Sequence, residues 1–186
     1  GRLVVTRRGQ KVEANRVSVR EMKLEGLAFD AARALLTRGL EVDVGEEDLA
    51  WVMEMLGGLP LALSISNSVA RTDGMVGGVI EELREMGLGA LVYGNQKNLS
   101  VKATFELSYR RLDERSQKLF KSLGVSLHTF EIELARALMG WRAAAARRGL
   151  RHLMGVGLVD NGGPGKYRMH PLVHRYAAEL GREDER

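Results

Sequence analysis

His170 and His174 stand four residues apart, the spacing that lets two imidazoles share a helix turn in the H-E-x-x-H site of zinc proteases. Pro171 occupies the place of the general-base carboxylate, cysteine is absent, and the only other histidines are His128 and His152, so no metal site is expected. His170 has two simpler uses. It lies where a strand pattern meets a helix start, so it either donates to an anion beside the unpaired helix amides or caps and packs. Thr6-Arg7 closes the apolar run Leu3-Val4-Val5, and strand carboxyl ends are where α/β sheets meet ligands. Arg7 there either reads a terminal phosphate or stands as a surface arginine. Gly57-Gly58-Leu59-Pro60 stops one helix and starts another. It is a tight helix corner, and its rigid ring beside helix amides is also a surface on which a flat base can rest.

A fourth constellation is basic. Arg142, Arg147, Arg148, Arg151 and His152 lie in a stretch with no acidic residue between Glu133 and Asp160. On a helix that pattern is either a solvated face or a DNA-reading one. Enzymatic chemistry finds no support. The only Gly-Lys pair, Gly165-Lys166, lacks the G-x-x-x-x-G-K-[ST] context of a phosphate loop, and there is no G-x-S-x-G elbow. The chain is therefore expected not to be an enzyme on its own.

The elements that must position these residues follow from periodicity. Leu27, Ala28, Ala31, Ala32, Leu35 and Leu36 recur at helical spacing. Glu46, Glu47 and Asp48 suit a helix N-terminus, with Leu49, Val52, Met53 and Leu56 as its buried stripe. Pro60 opens a helix through Val69, and another covers Val79 to Met86, with the glycines at 74, 77, 78, 87 and 89 marking loops. Tyr93 to Asn98 has no apolar period and reads as a linker. Helices then follow at about 100–111, 114–124, 131–139 and 142–155. Leu158-Val159 and Tyr167-Arg168-Met169 read as a hairpin around a loop of turn formers, before a last helix opened by Pro171.

The 186 residues carry 45% apolar and 28% charged residues, as a soluble globular protein does, and no run approaches the roughly 20 apolar residues of a membrane span. No membrane partner is expected. The net charge of +4 is unevenly spread: residues 1–100 hold 12 Lys/Arg against 14 Asp/Glu, and residues 101–186 hold 16 against 10. The basic second half expects an anionic ligand, nucleic acid or an acidic neighbour. The lack of cysteine is compatible with a reducing, cytoplasmic setting.

Val4-Val5-Thr6-Arg7, Leu24-Glu25-Gly26-Leu27, Gly58-Leu59-Pro60-Leu61-Ala62-Leu63 and Tyr167-Arg168-Met169-His170-Pro171-Leu172 occur in one order. That order resembles the NB-ARC ATPases of the signal-transducing STAND class, in a bacterial-type variant. Phe105 to Leu112 followed by Gln117-Lys118-Leu119-Phe120 is similar to the entry of that family's winged-helix subdomain. The resemblance implies a mainly α fold in three parts. Residues 1–24 would be the remnant of an α/β nucleotide-binding domain, 25–98 a helical subdomain, and 99–186 a winged-helix subdomain with a small β-hairpin. It gives Arg7 the γ-phosphate, Pro60 the adenine and His170 the β-phosphate of ADP, with Gly58 and Leu59 also counted as nucleotide-binding. Pro171 replaces the Asp of the family's Met-His-Asp motif. The resemblance further implies ADP or ATP as cofactor, with magnesium held by Walker segments before Gly1. Its expected partners are the chain's own N-terminal nucleotide-binding domain, sensor repeats beyond Arg186, and further copies on activation. The function implied is a switch held closed by ADP and released on exchange, its winged helix rotating about the linker. The alternative is a winged-helix DNA-binding regulator reading DNA through Arg142, Arg147, Arg148 and Arg151.

Overall fold

A computed structural model describes residues 25–90 and 96–184. These form a mainly helical protein with one small antiparallel sheet, as the periodicity predicts. No helix among the described residues is long and apolar enough to cross a membrane. Leu3 to Arg7 lie outside the described residues.

The first four helices are α1 (Phe29–Leu36), α2 (Glu46–Leu56), α3 (Pro60–Asp73) and α4 (Val76–Ala90). The three acids opening α2 face its N-terminal dipole, and Leu49, Val52 and Leu56 supply the buried stripe. Pro60 stands in the first turn of α3, where its missing N–H leaves no hydrogen bond unmade. The expectation that Gly77, Gly78, Gly87 and Gly89 sit in loops is corrected, because all four lie within α4. Val76, Val79, Ile80 and Leu83 are buried at helical spacing, and that burial outweighs a cost of about 1 kcal/mol per glycine.

α5 (Gln96–Arg110) follows. Gln96 to Asn98, read from the sequence as linker, begin this helix, while residues 91–95 lie outside the described ones. Next come α6 (Glu114–Leu123), β1 (Thr129–Glu131), α7 (Ile132–Met139), α8 (Ala143–Gly155), β2 (Asp160–Gly163), β3 (Lys166–Arg168) and α9 (Pro171–Asp184). Asp113 caps α6 by accepting from the Ser116 N–H at 2.8 Å. Hydrogen bonding to Ser116, more than any charge, holds its carboxyl below the usual range.

The hairpin is shifted from its expected register. Leu158 and Val159 are buried core residues, and the strand comes after them at Asp160–Gly163, in what reads as loop. Glycine permits this, since a Cβ on Gly162 would stand 3.0 Å from the Tyr167 carbonyl carbon. β1 is a third strand that periodicity did not reveal. It pairs antiparallel with β3, giving the order β1-β3-β2, and stacks Phe130 on Tyr167 with ring centroids 5.9 Å apart.

Two apolar cores result. One lies among α1 to α4; the other lies among α6 to α9 and the sheet. Two helices serve both. α3 gives Ala62, Leu63, Val69 and Ala70 to the first core and Leu61 and Ile65 to the second. α5 gives Ala103 and Leu107 to the first, and Val101, Phe105 and Tyr109 to the second. Arg111, just past α5, joins its guanidinium to Asp73 at the end of α3 (2.6 Å) and Glu82 of α4 (2.7 Å).

Candidate functional site

The corner before α3 is built from backbone. Gly57 and Gly58 both have left-handed φ, 62° and 63°, a pairing that L side chains resist. The Leu27 N–H donates to the Gly58 carbonyl at 2.8 Å, and a Cβ on Gly26 would stand 2.2 Å from the Gly57 oxygen. The chain entering α1 is therefore laid directly on the corner. Gly58 is buried, while Leu59 and Pro60 face outward at the start of α3, which no side chain caps. Gly26 and Gly58 belong to separate motifs of the sequence. Only the fold brings them into contact.

His170 precedes α9. Its carbonyl accepts from the His174 N–H at 2.9 Å, and its Nδ1 accepts from the Leu172 N–H at 3.2 Å. Accepting at Nδ1 leaves the ring proton on Nε2, on an exposed side chain. Partial burial, with Arg168 and His128 nearby, holds the imidazole below its ordinary value of 6.5 although Asp160 pulls the other way. The ring is thus a neutral donor. One nitrogen caps the helix, and the other carries the ring proton on this exposed side chain.

His174 does not join it on a ligand. Its Nε2 donates to the Ser126 carbonyl at 2.8 Å, and its ring lies against His128 with centroids 4.6 Å apart. Among the described residues, no group of His, Asp or Glu is arranged to hold a metal ion. Below this end of α9, Tyr176 donates its hydroxyl to Glu106 across the second core. Burial alone would raise the Glu106 carboxyl, but the bonds from Tyr176 and Arg110 outweigh it and hold the group ionised. Burial and the same carboxylate push the Tyr176 phenol far up. Sequence spacing gives no sign of this pair.

Of the basic residues, Arg142 is the N-cap of α8, and Arg147, Arg148 and Arg151 are exposed along it. His152, grouped with them on the sequence, is engaged elsewhere: its Nδ1 lies 3.1 Å from the Ser116 hydroxyl and 3.8 Å from Asp113. Arg7 lies outside the described residues.

The fold defines a mainly helical protein with two cores bridged by α3 and α5, in which the starts of α3 and α9 carry Pro60 and His170. No known family profile matches the chain. It is 33% identical over 170 residues to the regulatory protein AfsR of Streptomyces griseus, a match that covers 87% of this chain and 17% of that protein. It is 31% identical over 175 residues to the regulatory protein AfsR of Streptomyces coelicolor, covering 88% and 17%. The chain therefore spans 17% of the length of each of these relatives.

Proposed function

We propose that this chain is the nucleotide-sensing segment of a bacterial regulatory protein, a switch of the NB-ARC type. Residues 25–98 act as its helical subdomain and 99–186 as a winged-helix subdomain. The observation that carries the reading is His170: an exposed imidazole, capping α9 through Nδ1, which leaves its proton on Nε2 as a donor. A donor at a helix start is suited to a phosphate oxygen. Leu59 and Pro60, held outward by the two left-handed glycines, supply a rigid apolar surface for adenine. Arg7 would reach a γ-phosphate. The name of the two relatives, a regulatory protein, agrees with a signalling role.

In this reading ADP bridges the α3 start and the α9 start and keeps the two cores together. Exchange for ATP withdraws the β-phosphate from His170 and biases the protein to a second arrangement. Such a movement would break contacts between the two parts. Thr72 bonds to the Gly155 carbonyl at 3.3 Å, and Arg111 binds Asp73 and Glu82. Because α3 and α5 pack on both cores, movement must overcome the contacts of this seam.

The test is to purify the full-length protein, denature it and identify released nucleotide by chromatography. Bound ADP or ATP is expected, with retention lost in His170→Ala. A protein that emerges free of nucleotide, and binds neither ADP nor ATP when they are added, overturns the reading.

A further inference from the structure

The outer face of α8 takes no part in the nucleotide reading. Ala144, Arg147, Arg148 and Arg151 are exposed along one side, while Ala146, Gly149, Leu150 and Leu153 are buried on the other. Elsewhere among the described residues, Arg33, Arg84, Arg110, Arg111 and Arg175 meet carboxylates while Arg38, Arg71, Arg115, Arg136, Arg168 and Arg182 form no ion pair, so what sets α8 apart is the clustering of its arginines. Among the described residues, Arg142, Arg147, Arg148 and Arg151 meet none, and no acidic residue lies between Glu133 and Asp160. Clustered like charges on one helix repel one another, and an anionic partner relieves that repulsion.

Position adds to charge. α7 ends at Gly140, whose left-handed φ of 63° turns the chain through Trp141 and Arg142 directly into α8. A Cβ on Gly149 would stand 2.9 Å from the Trp141 ring and 3.0 Å from Leu119, so α8 is seated tightly on this turn and on α6. The β2–β3 hairpin flanks the far end of α8. Met154 and Lys166 line the same open groove of about 480 Å³, which sets Lys166 beside the helix turn that follows Arg151.

We infer that α8 is the groove-entering helix of a helix-turn-helix unit and that this face binds duplex DNA through its backbone phosphates. Arg147, Arg148 and Arg151 contact phosphates from the helix, and Lys166 contacts them from the hairpin. The major groove, roughly 12 Å wide, admits one α-helix. The face favours DNA over an acidic protein because charge dominates it: Ala144 is the only exposed apolar side chain of α8, and Met154, Pro164 and Tyr167 line the groove beside Lys166 instead of standing among the arginines. A protein interface needs a buried aromatic or aliphatic centre, whereas phosphate binding needs guanidinium groups and close approach.

The experiment measures binding of the full-length protein to a fluorescein-labelled duplex of arbitrary sequence across a salt series. The triple variant Arg147→Gln/Arg148→Gln/Arg151→Gln is compared with wild type. Its control is Arg38→Gln/Arg71→Gln/Arg182→Gln, which removes the same charge from exposed sites elsewhere. The α8 variant should bind at least about tenfold more weakly, with a salt slope shallower by about 0.9 for each phosphate no longer neutralised. The control should stay close to wild type, and circular dichroism should show all three proteins equally helical. Equal duplex binding by the α8 variant and wild type overturns the proposal. So does polyglutamate displacing the duplex at the same charge concentration, which would mark an acidic-protein site. His170→Ala should leave duplex binding intact, so failure here is distinguishable from failure of the nucleotide reading.

Discussion

His170 shows how one side chain can serve fold and ligand together. Asn at this position keeps an acceptor for the Leu172 N–H but removes the Nε2–H. His170→Asn is therefore expected to melt near wild type yet lose nucleotide, whereas His170→Ala loses both nucleotide and about 1 kcal/mol of cap stability. Calorimetry alongside nucleotide release separates the two effects. Protonating Nδ1 breaks the Leu172 bond, so the folded chain holds that proton less well than the unfolded chain. The resulting stability is complete above the ordinary imidazole value of 6.5 and drains as pH falls below it. Melting of wild type should accordingly decline on acidification more steeply than that of His170→Asn, and parallel declines would refute the assignment. Gly26 is as demanding in another way. With the Gly57 oxygen 2.2 Å from any Cβ, Gly26→Ala should cost about 1–3 kcal/mol, whereas Gly77→Ala, in open space within α4, should cost nothing. Chemical denaturation of the two variants checks this.

At the scale of elements, caps and periods carry the local order. Asp113 ends the loop after α5 and starts α6, so Asp113→Ala should destabilise by about 1 kcal/mol while Asp113→Asn keeps most of the cap. α9 is anchored differently, by Tyr176, whose ring sits 5.6 Å from Phe105 and 6.1 Å from Phe120 and whose hydroxyl meets Glu106. Tyr176→Phe keeps the ring packing and should cost about 1–2 kcal/mol, against about 3–5 for Tyr176→Ala. A Phe variant as unstable as the Ala variant would mean that the hydroxyl, rather than the ring, holds α9 in place. Periodicity located α2 and α6 well because their buried residues recur every three or four positions, whereas α3, buried at most of its positions, was marked by its opening proline. It missed β1, since three residues carry no measurable period and Thr129–Glu131 become a strand only when β3 arrives beside them.

For the whole molecule, the sharing of α3 and α5 predicts cooperativity. Neither core closes without both helices, so the described residues should unfold in a single transition. Gly157 lies in the seam, where a Cβ would meet the Ser68 hydroxyl at 2.8 Å. Gly157→Ala should therefore lower that one transition instead of splitting it. Arg111→Met should weaken the same seam by about 1–2 kcal/mol, a value reduced by solvent at the partly exposed carboxylates. Denaturation followed at once by circular dichroism and Trp51 and Trp141 fluorescence tests this, since the two tryptophans pack on different cores. Two separated transitions would show that the cores are independent.

By themselves the residues determined the helical class, the proline-opened starts of α3 and α9, the presence of a hairpin and the basic character of the 142–155 segment. These are local matters, set by side-chain period, by the fixed φ of proline and by charge along the chain. Tertiary structure alone decided which glycines turn the chain and which are carried inside α4, since the outcome depends on what the neighbouring apolar residues bury. It also decided that His152 faces Ser116 while Arg148 joins Arg147 and Arg151 on the outer face, and that Gly26 lies on Gly57. The donor nitrogen of His170 belongs to the same group, because a ring proton is placed by whichever group the other nitrogen meets, and that meeting is made by the fold.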